Sequence, residues 1–192
     1  MSLFQTLKPK PKTNTSSSCC LLLDTSGSMD ALVYDREAEG LELRRIDLLF
    51  KAVRDTPECA GLKTFMFNTY CEPIETILTE EEVVSFTPTG GTNLADAFTT
   101  VKAAGFYNAI LVTDGEPDSE TKALTAAYGM KLGIIYIGNP PIPPFLQRLA
   151  AATDGTFALA DMRSIKQLED AIVRALPPPS KDEPPSGGAI NL

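Results

Sequence analysis

Residues Leu21–Asp30 read LLLDTSGSMD. Three leucines run into an aspartate, and a threonine and two serines then surround a glycine. An apolar run without alternation is the pattern of a strand covered on both faces. It is followed at once by short oxygen-bearing side chains, which are poor core residues but good donors for a ligand. The same design recurs downstream. NAILVTDG at 108–115 is a second apolar run, ending in Asp114 and Gly115, and KLGIIYIG at 131–138 is a third.

Between these runs the apolar spacing changes to that of helices. RRIDLLFKAVRD at 44–55 places Ile46, Leu49, Phe50 and Val53 on one face. LADAFTTVKAAG at 94–105 is a helix closed by Gly105. SETKALTAAYGM at 119–130 is a helix capped by Ser119, and PPFLQRLAAATDG at 143–155 has proline in its first turn and glycine past its end. SIKQLEDAIVRAL at 164–176 is the last helix. LKTFMFNT is read as a strand, with CEPIETI returning beside it after a turn at Asn68, and TFALAD is a further strand. Strand and helix alternate, so the expected fold is α/β: an open, doubly wound, mostly parallel central sheet flanked by helices. The domain is expected over residues 17–176. A polar, lysine- and proline-rich arm precedes it (1–16) and a proline-rich tail follows (177–192).

Composition narrows the chemistry. The chain has 192 residues and a formal net charge of -8, which disfavours nucleic acid or an anionic membrane surface as partner. The N-terminal stretch lacks the apolar core of a secretory signal, so a cytoplasmic location is expected. The 4 cysteines contain no CxxC pair, which argues against structural zinc and for reduced thiols. Histidine is absent, at 0 residues. That removes histidine general bases, Ser-His-Asp triads and imidazole-ligated metals together.

In doubly wound sheets, ligands sit at the carboxyl ends of the strands near a topological switch point. Asp24, Ser26 and Ser28 fall there after the first apolar run, and Thr113, Asp114 and Gly115 after the second. The loop TPTGGTNLAD brings Gly90, Gly91 and Thr92 between them. These donors are all oxygen, and oxygen donors select a hard cation, Mg²⁺ or Mn²⁺. Taken one at a time, each segment has a plainer reading. DTSGS suits a strand-ending turn, Thr92 or Asn93 suits a helix cap, and Asp114-Gly115 suits a turn.

Taken together, Asp24-Thr25-Ser26-Gly27-Ser28, the isolated Thr92 in GGTNLADAF and Asp114 in VTDGEPD resemble the metal-ion-dependent adhesion site of von Willebrand factor type A domains. The resemblance spans most of residues 17–176. It implies a metal held by Asp24, Ser26, Ser28, Thr92 and Asp114, with the serines and in some members Thr92 touching it directly and the aspartates directly or through water. It also implies a binding module rather than an enzyme, with Mg²⁺ or Mn²⁺ as cofactor and a partner protein supplying an Asp or Glu. Intracellular members of the family often work beside ATPases of the chelatase type, which makes such an ATPase one candidate partner. One departure is the segment from Asp30 to Glu42, rich in acids such as Asp35, Glu37 and Glu39. It reads either as a partner-recognition loop or as a solvated surface loop. Two other functions stay open: a Mg²⁺-dependent phosphoryl-transfer hydrolase, and a structural subunit of a larger assembly. Ser26 stands where a DxDx[TV] hydrolase would carry its second acid, and no GxxxxGK[ST] loop is present.

Overall fold

The computed structural model describes residues 19–34, 42–161 and 164–177. In chain order the elements are β1 (Cys19–Asp24), a 3-10 turn (Gly27–Asp30), β2 (Leu32–Tyr34), β3 (Glu42–Arg44), α1 (Arg45–Asp55), a second 3-10 turn (Pro57–Cys59), β4 (Lys63–Phe67) and β5 (Cys71–Ile74). Then come α2 (Glu80–Ser85), α3 (Leu94–Ala103), β6 (Asn108–Thr113), α4 (Glu120–Ala127), β7 (Lys131–Tyr136), α5 (Pro144–Ala152), β8 (Thr156–Leu159) and α6 (Ile165–Ala175).

The leucine run forms the centre of the sheet, because every residue of β1 is buried. Leu21 and Leu23 face a layer that includes Ile46, Leu49 and Phe50 of α1, Val83 of α2, and Leu168 and Ile172 of α6. Cys20 and Leu22 face Leu94, Phe98 and Val101 of α3, Ala123 and Ala127 of α4, and Phe145 and Leu149 of α5. A strand with an apolar layer on each side has no use for polar alternation, which is why its sequence shows none.

The six-stranded sheet runs β5-β4-β1-β6-β7-β8. β1 pairs in parallel with β4 (Leu22 opposite Phe65) and with β6 (Leu22 opposite Leu111). β7 and β8 continue in parallel, and only the edge strand β5 is antiparallel. The expected mostly parallel, doubly wound sheet is therefore present. After β1 the chain builds outward to β4 and β5, then crosses back through α3 to place β6 on the other flank of β1. The switch point lies between the carboxyl ends of β1 and β6, next to Asp24 and Thr113.

Local expectations hold with small shifts. Asn93 caps α3 by accepting a hydrogen bond from Asp96 N (3.2 Å), and Gly105 follows that helix at φ +90. Ser119 caps α4, but that helix stops at Ala127 instead of running to Met130. α2 was not expected. Its signal was present in Thr79-Glu80-Glu81-Glu82: Thr79 Oγ1 accepts from Glu82 N (3.3 Å), and Glu82 accepts from Thr79 N (2.8 Å). The segment from Asp30 to Glu42, read as a partner-recognition loop or a solvated surface loop, includes β2 and meets β3 at its end, with Leu32 opposite Arg44 and Val33 opposite Leu43. Its acids Asp35, Glu37 and Glu39 lie outside the described residues, as do the 1–16 arm and nearly all of the 177–192 tail.

Candidate metal centre at the carboxyl edge of the sheet

Asp24 closes β1 and is wholly buried. Its Oδ1 accepts from Ser26 N (2.8 Å), an Asx turn that bends the chain out of the strand. Its Oδ2 accepts from Thr113 Oγ1 (2.5 Å) across the β1–β6 pair. Burial pushes the Asp24 carboxyl up to about 6, against the hydrogen bonds from Ser26 and Thr113, which lower it; the neighbouring Asp114 adds to the rise.

The loop that follows is fastened on two sides. Thr25 donates to Phe67 O through both its N (2.8 Å) and its Oγ1 (3.0 Å), anchoring the turn to the end of β4. Thr89 N donates to Thr25 O (3.1 Å), and Gly27 N donates to Gly90 O (3.1 Å). The DTSGS loop and the TGGT loop are thus held together by backbone bonds. Gly90 sits at φ +78, and a Cβ there would lie 2.5 Å from Thr69 Oγ1, so this bend needs glycine.

On that frame the hydroxyls converge. Ser26 Oγ and Ser28 Oγ are 3.2 Å apart, and Ser28 Oγ donates to Asp114 Oδ1 (2.6 Å). A Cβ built on Gly115 would lie 3.4 Å from Thr92 Oγ1 and 3.9 Å from Ser28 Oγ, so both hydroxyls border the space above that glycine. Thr92 is held there by Asp118, whose Oδ1 accepts from Thr92 N (3.1 Å) and whose N donates to Thr92 O (3.1 Å). Asp118 is therefore a brace for Thr92.

All five expected positions, Asp24, Ser26, Ser28, Thr92 and Asp114, come to one rim of the sheet. They differ in readiness. Ser28 and Thr92 border the space above Gly115, Ser26 Oγ and Asp114 Oδ1 both adjoin Ser28 Oγ, and both oxygens of Asp24 are turned to Ser26 N and Thr113 Oγ1. The spacing also fits a small hard ion. Neighbouring oxygens around Mg²⁺ stand about 3.0 Å apart when each is about 2.1 Å from the ion, and the hydrogen-bonded pairs Ser28 Oγ–Asp114 Oδ1 (2.6 Å) and Ser26 Oγ–Ser28 Oγ (3.2 Å) lie either side of that edge. Among the described residues, no group of three or more His, Cys, Asp and Glu side chains is placed to hold a metal. The side chains gathered at this rim are instead two carboxylates and three hydroxyls.

Two residues of the centre were not picked out from sequence. Thr113 was placed at the strand end without a role, and it proves to orient Asp24. Arg45 was read only as part of a helix. Its Nη1 donates to Asp114 Oδ2 (2.5 Å), and its side chain is 10% exposed. The available signal was two arginines opening a helix, where the macrodipole disfavours cations.

No protein-family model and no curated protein matches this chain. Solved structures do. The VWA domain of SpRpn10 aligns with a TM-score of 0.54 at 12% identity, over 81% of this chain and 93% of that one. A von Willebrand factor type A protein from Catenulispora acidiphila aligns at 0.55 and 17% identity, over 82% of this chain and 41% of that one. The ArnB paralog VWA2 from Sulfolobus acidocaldarius aligns at 0.50 and 19% identity, over 79% of this chain and 42% of that one. The chain thus spans less than half the length of the latter two proteins. Identities this low speak to architecture alone, and with the strand order and layers described above they establish that the chain has the fold of a von Willebrand factor type A domain.

Proposed function

We propose that this chain is a metal-dependent protein-interaction module. Ser26, Ser28, Thr92 and Asp114 hold Mg²⁺ or Mn²⁺ at the β1–β6 rim, and Asp24 acts on it through water. A partner protein completes the shell with an Asp or Glu side chain. The observation that carries this reading is the row of oxygens Ser26 Oγ, Ser28 Oγ and Asp114 Oδ1, beside the space above Gly115 that the Ser28 and Thr92 hydroxyls border. When bound, the ion supplies positive charge and an open coordination position for that carboxylate.

The chain's own residues do the rest. Ser26 and Ser28 offer small neutral donors that crowd neither the ion nor an incoming side chain. Thr113 and Ser26 N hold Asp24 in one orientation, and Asp118 holds Thr92. Asp24 is a poor candidate for a nucleophile. It is 0% exposed and both of its oxygens already accept hydrogen bonds. Binding is therefore favoured over a phosphoryl-transfer hydrolase. No helix among the described residues is long and apolar enough to cross a membrane.

The test is capture of binding proteins from native extract in Mg²⁺ and in EDTA, using the wild type and Ser28→Ala. A partner retained by the wild type in Mg²⁺, and lost with EDTA and with Ser28→Ala, supports the proposal. A partner held equally in all cases would place the interaction elsewhere on the surface.

A further inference from the structure

Arg44 and Arg45 open α1 side by side, yet they do different work. Arg44 is a surface fastener. It donates to Asp47 Oδ1 (2.7 Å), Val83 O (2.7 Å) and Phe86 O (2.8 Å), tying the hairpin to α1 and to the end of α2. Arg45 turns inward and pairs with Asp114, and its Nε is buried with no hydrogen-bond partner among the described residues.

As a stabilising device Arg45 is poorly placed. A buried N–H left unpaired is costly, and a buried ion pair is often replaceable by apolar side chains of similar volume without loss of stability. A cation in the first helical turn also opposes the macrodipole. What the position does achieve is electrostatic. Arg45 puts a fixed positive charge directly behind Asp114, on the oxygen turned away from Ser28. With their carboxylates ionised, Asp24, Asp114 and Arg45 together carry one net negative charge, and Asp118, bound to Thr92 N, adds a second at the rim. A divalent ion then leaves the site one positive charge higher than it would be without Arg45.

Building on the reading of this rim as a metal centre, we propose that Arg45 is a positioning residue that adds one fixed positive charge to the metal-loaded site. The divalent ion and the partner's carboxylate then bind cooperatively, each weakly without the other. Arg45 does not contact the incoming ligand. It acts through Asp114, by drawing carboxylate charge away from the ion and holding Oδ2 so that Oδ1 faces the hydroxyls.

The experiment titrates Mn²⁺ into the full chain at pH 7.5 and follows free Mn²⁺ by electron paramagnetic resonance. It is run in sodium acetate, as the carboxylate probe, and in sodium chloride of equal ionic strength. Wild type is expected to bind Mn²⁺ several-fold more tightly in acetate. Arg45→Gln keeps a hydrogen-bond donor for Asp114 but no charge. In chloride it is expected to bind Mn²⁺ on the order of 10- to 100-fold more tightly than wild type, and to lose the acetate effect. Arg45→Lys retains the charge and is expected to behave like wild type. Circular dichroism confirms folding, and Arg45→Met replaces Arg45→Gln if that variant does not fold. The inference is overturned by an unchanged neutral variant, by Gln and Lys variants altered alike, or by a wild type that ignores acetate. A wild type that binds no Mn²⁺ in either salt defeats the metal-centre reading itself, and this inference falls with it.

Discussion

Replacing Thr113 with valine tests how the carboxyl edge of the sheet is held. Thr113 is fully buried, and its Oγ1 is 2.5 Å from Asp24 Oδ2. Valine fills the same space but donates nothing. It leaves a buried carboxylate oxygen unpaired, which costs about 1–3 kcal/mol for a neutral group and more for a charged one. The loss should therefore depend on whether Asp24 is ionised. Burial lifts the Asp24 carboxyl from its ordinary 3.8 to about 6 in the folded chain. The folded state then binds a proton more tightly than the unfolded state. Metal-free wild type is most stable with respect to this group below pH 4, and loses that contribution as pH rises through about 6. The difference corresponds to about 3 kcal/mol across the window. The assay is urea unfolding in EDTA at pH 5.0 and pH 7.5, comparing wild type, Thr113→Val and Thr113→Ser, which keeps the hydroxyl. Thr113→Val is expected to lose about 2–4 kcal/mol at pH 7.5 and clearly less at pH 5.0. The serine variant should show a smaller loss that is the same at both. A valine loss equal at the two pH values, or no greater than that of serine, would refute the role assigned to this hydrogen bond.

Other outcomes follow from the same geometry. Leu22→Ala empties a fully buried position between two strands and the α3–α5 layer, and should cost about 2–5 kcal/mol by urea unfolding. Gly115→Ala places a methyl 3.4 Å from Thr92 Oγ1, inside the proposed ion's space. It should leave metal-free stability within about 1 kcal/mol of wild type while lowering Mn²⁺ affinity at least tenfold in a calorimetric titration. Burial raises the thiols of Cys19 and Cys59 to about 11 and those of Cys20 and Cys71 to about 12. A thiol-disulfide reagent at pH 8 should therefore label the native chain slowly and all 4 cysteines at once in denaturant.

Much of this molecule is legible before any coordinates. Leu21–Leu23 and Ile110–Val112 are buried from both sides, so their sequences carry the signature of central parallel strands. Asp24 and Asp114 stand where those runs stop, which marks the carboxyl edge. What sequence does not reveal is pairing across distance. The Thr113–Asp24 bond spans 89 positions and the Arg45–Asp114 pair spans 69. Both depend on the β1–β6 register and on the direction in which α1 enters the core. Asp118 is similar: an exposed acid by composition, yet bound to Thr92 at both its carboxylate and its backbone N. The six-residue α2 was missed for a different reason. It buries Val83 and leaves Val84 exposed, too little periodicity to register as a helix, and its capping box alone announced it.

The most direct test of the metal centre is anomalous diffraction from crystals of the chain soaked in MnCl₂. One strong peak is expected at the β1–β6 rim, within bonding distance of Ser26 Oγ, Ser28 Oγ and an oxygen of Asp114, with Thr92 and Asp24 in the same shell directly or through water. An anomalous map with no peak among those oxygens, at Mn²⁺ concentrations that load other exposed carboxylates, would contradict it.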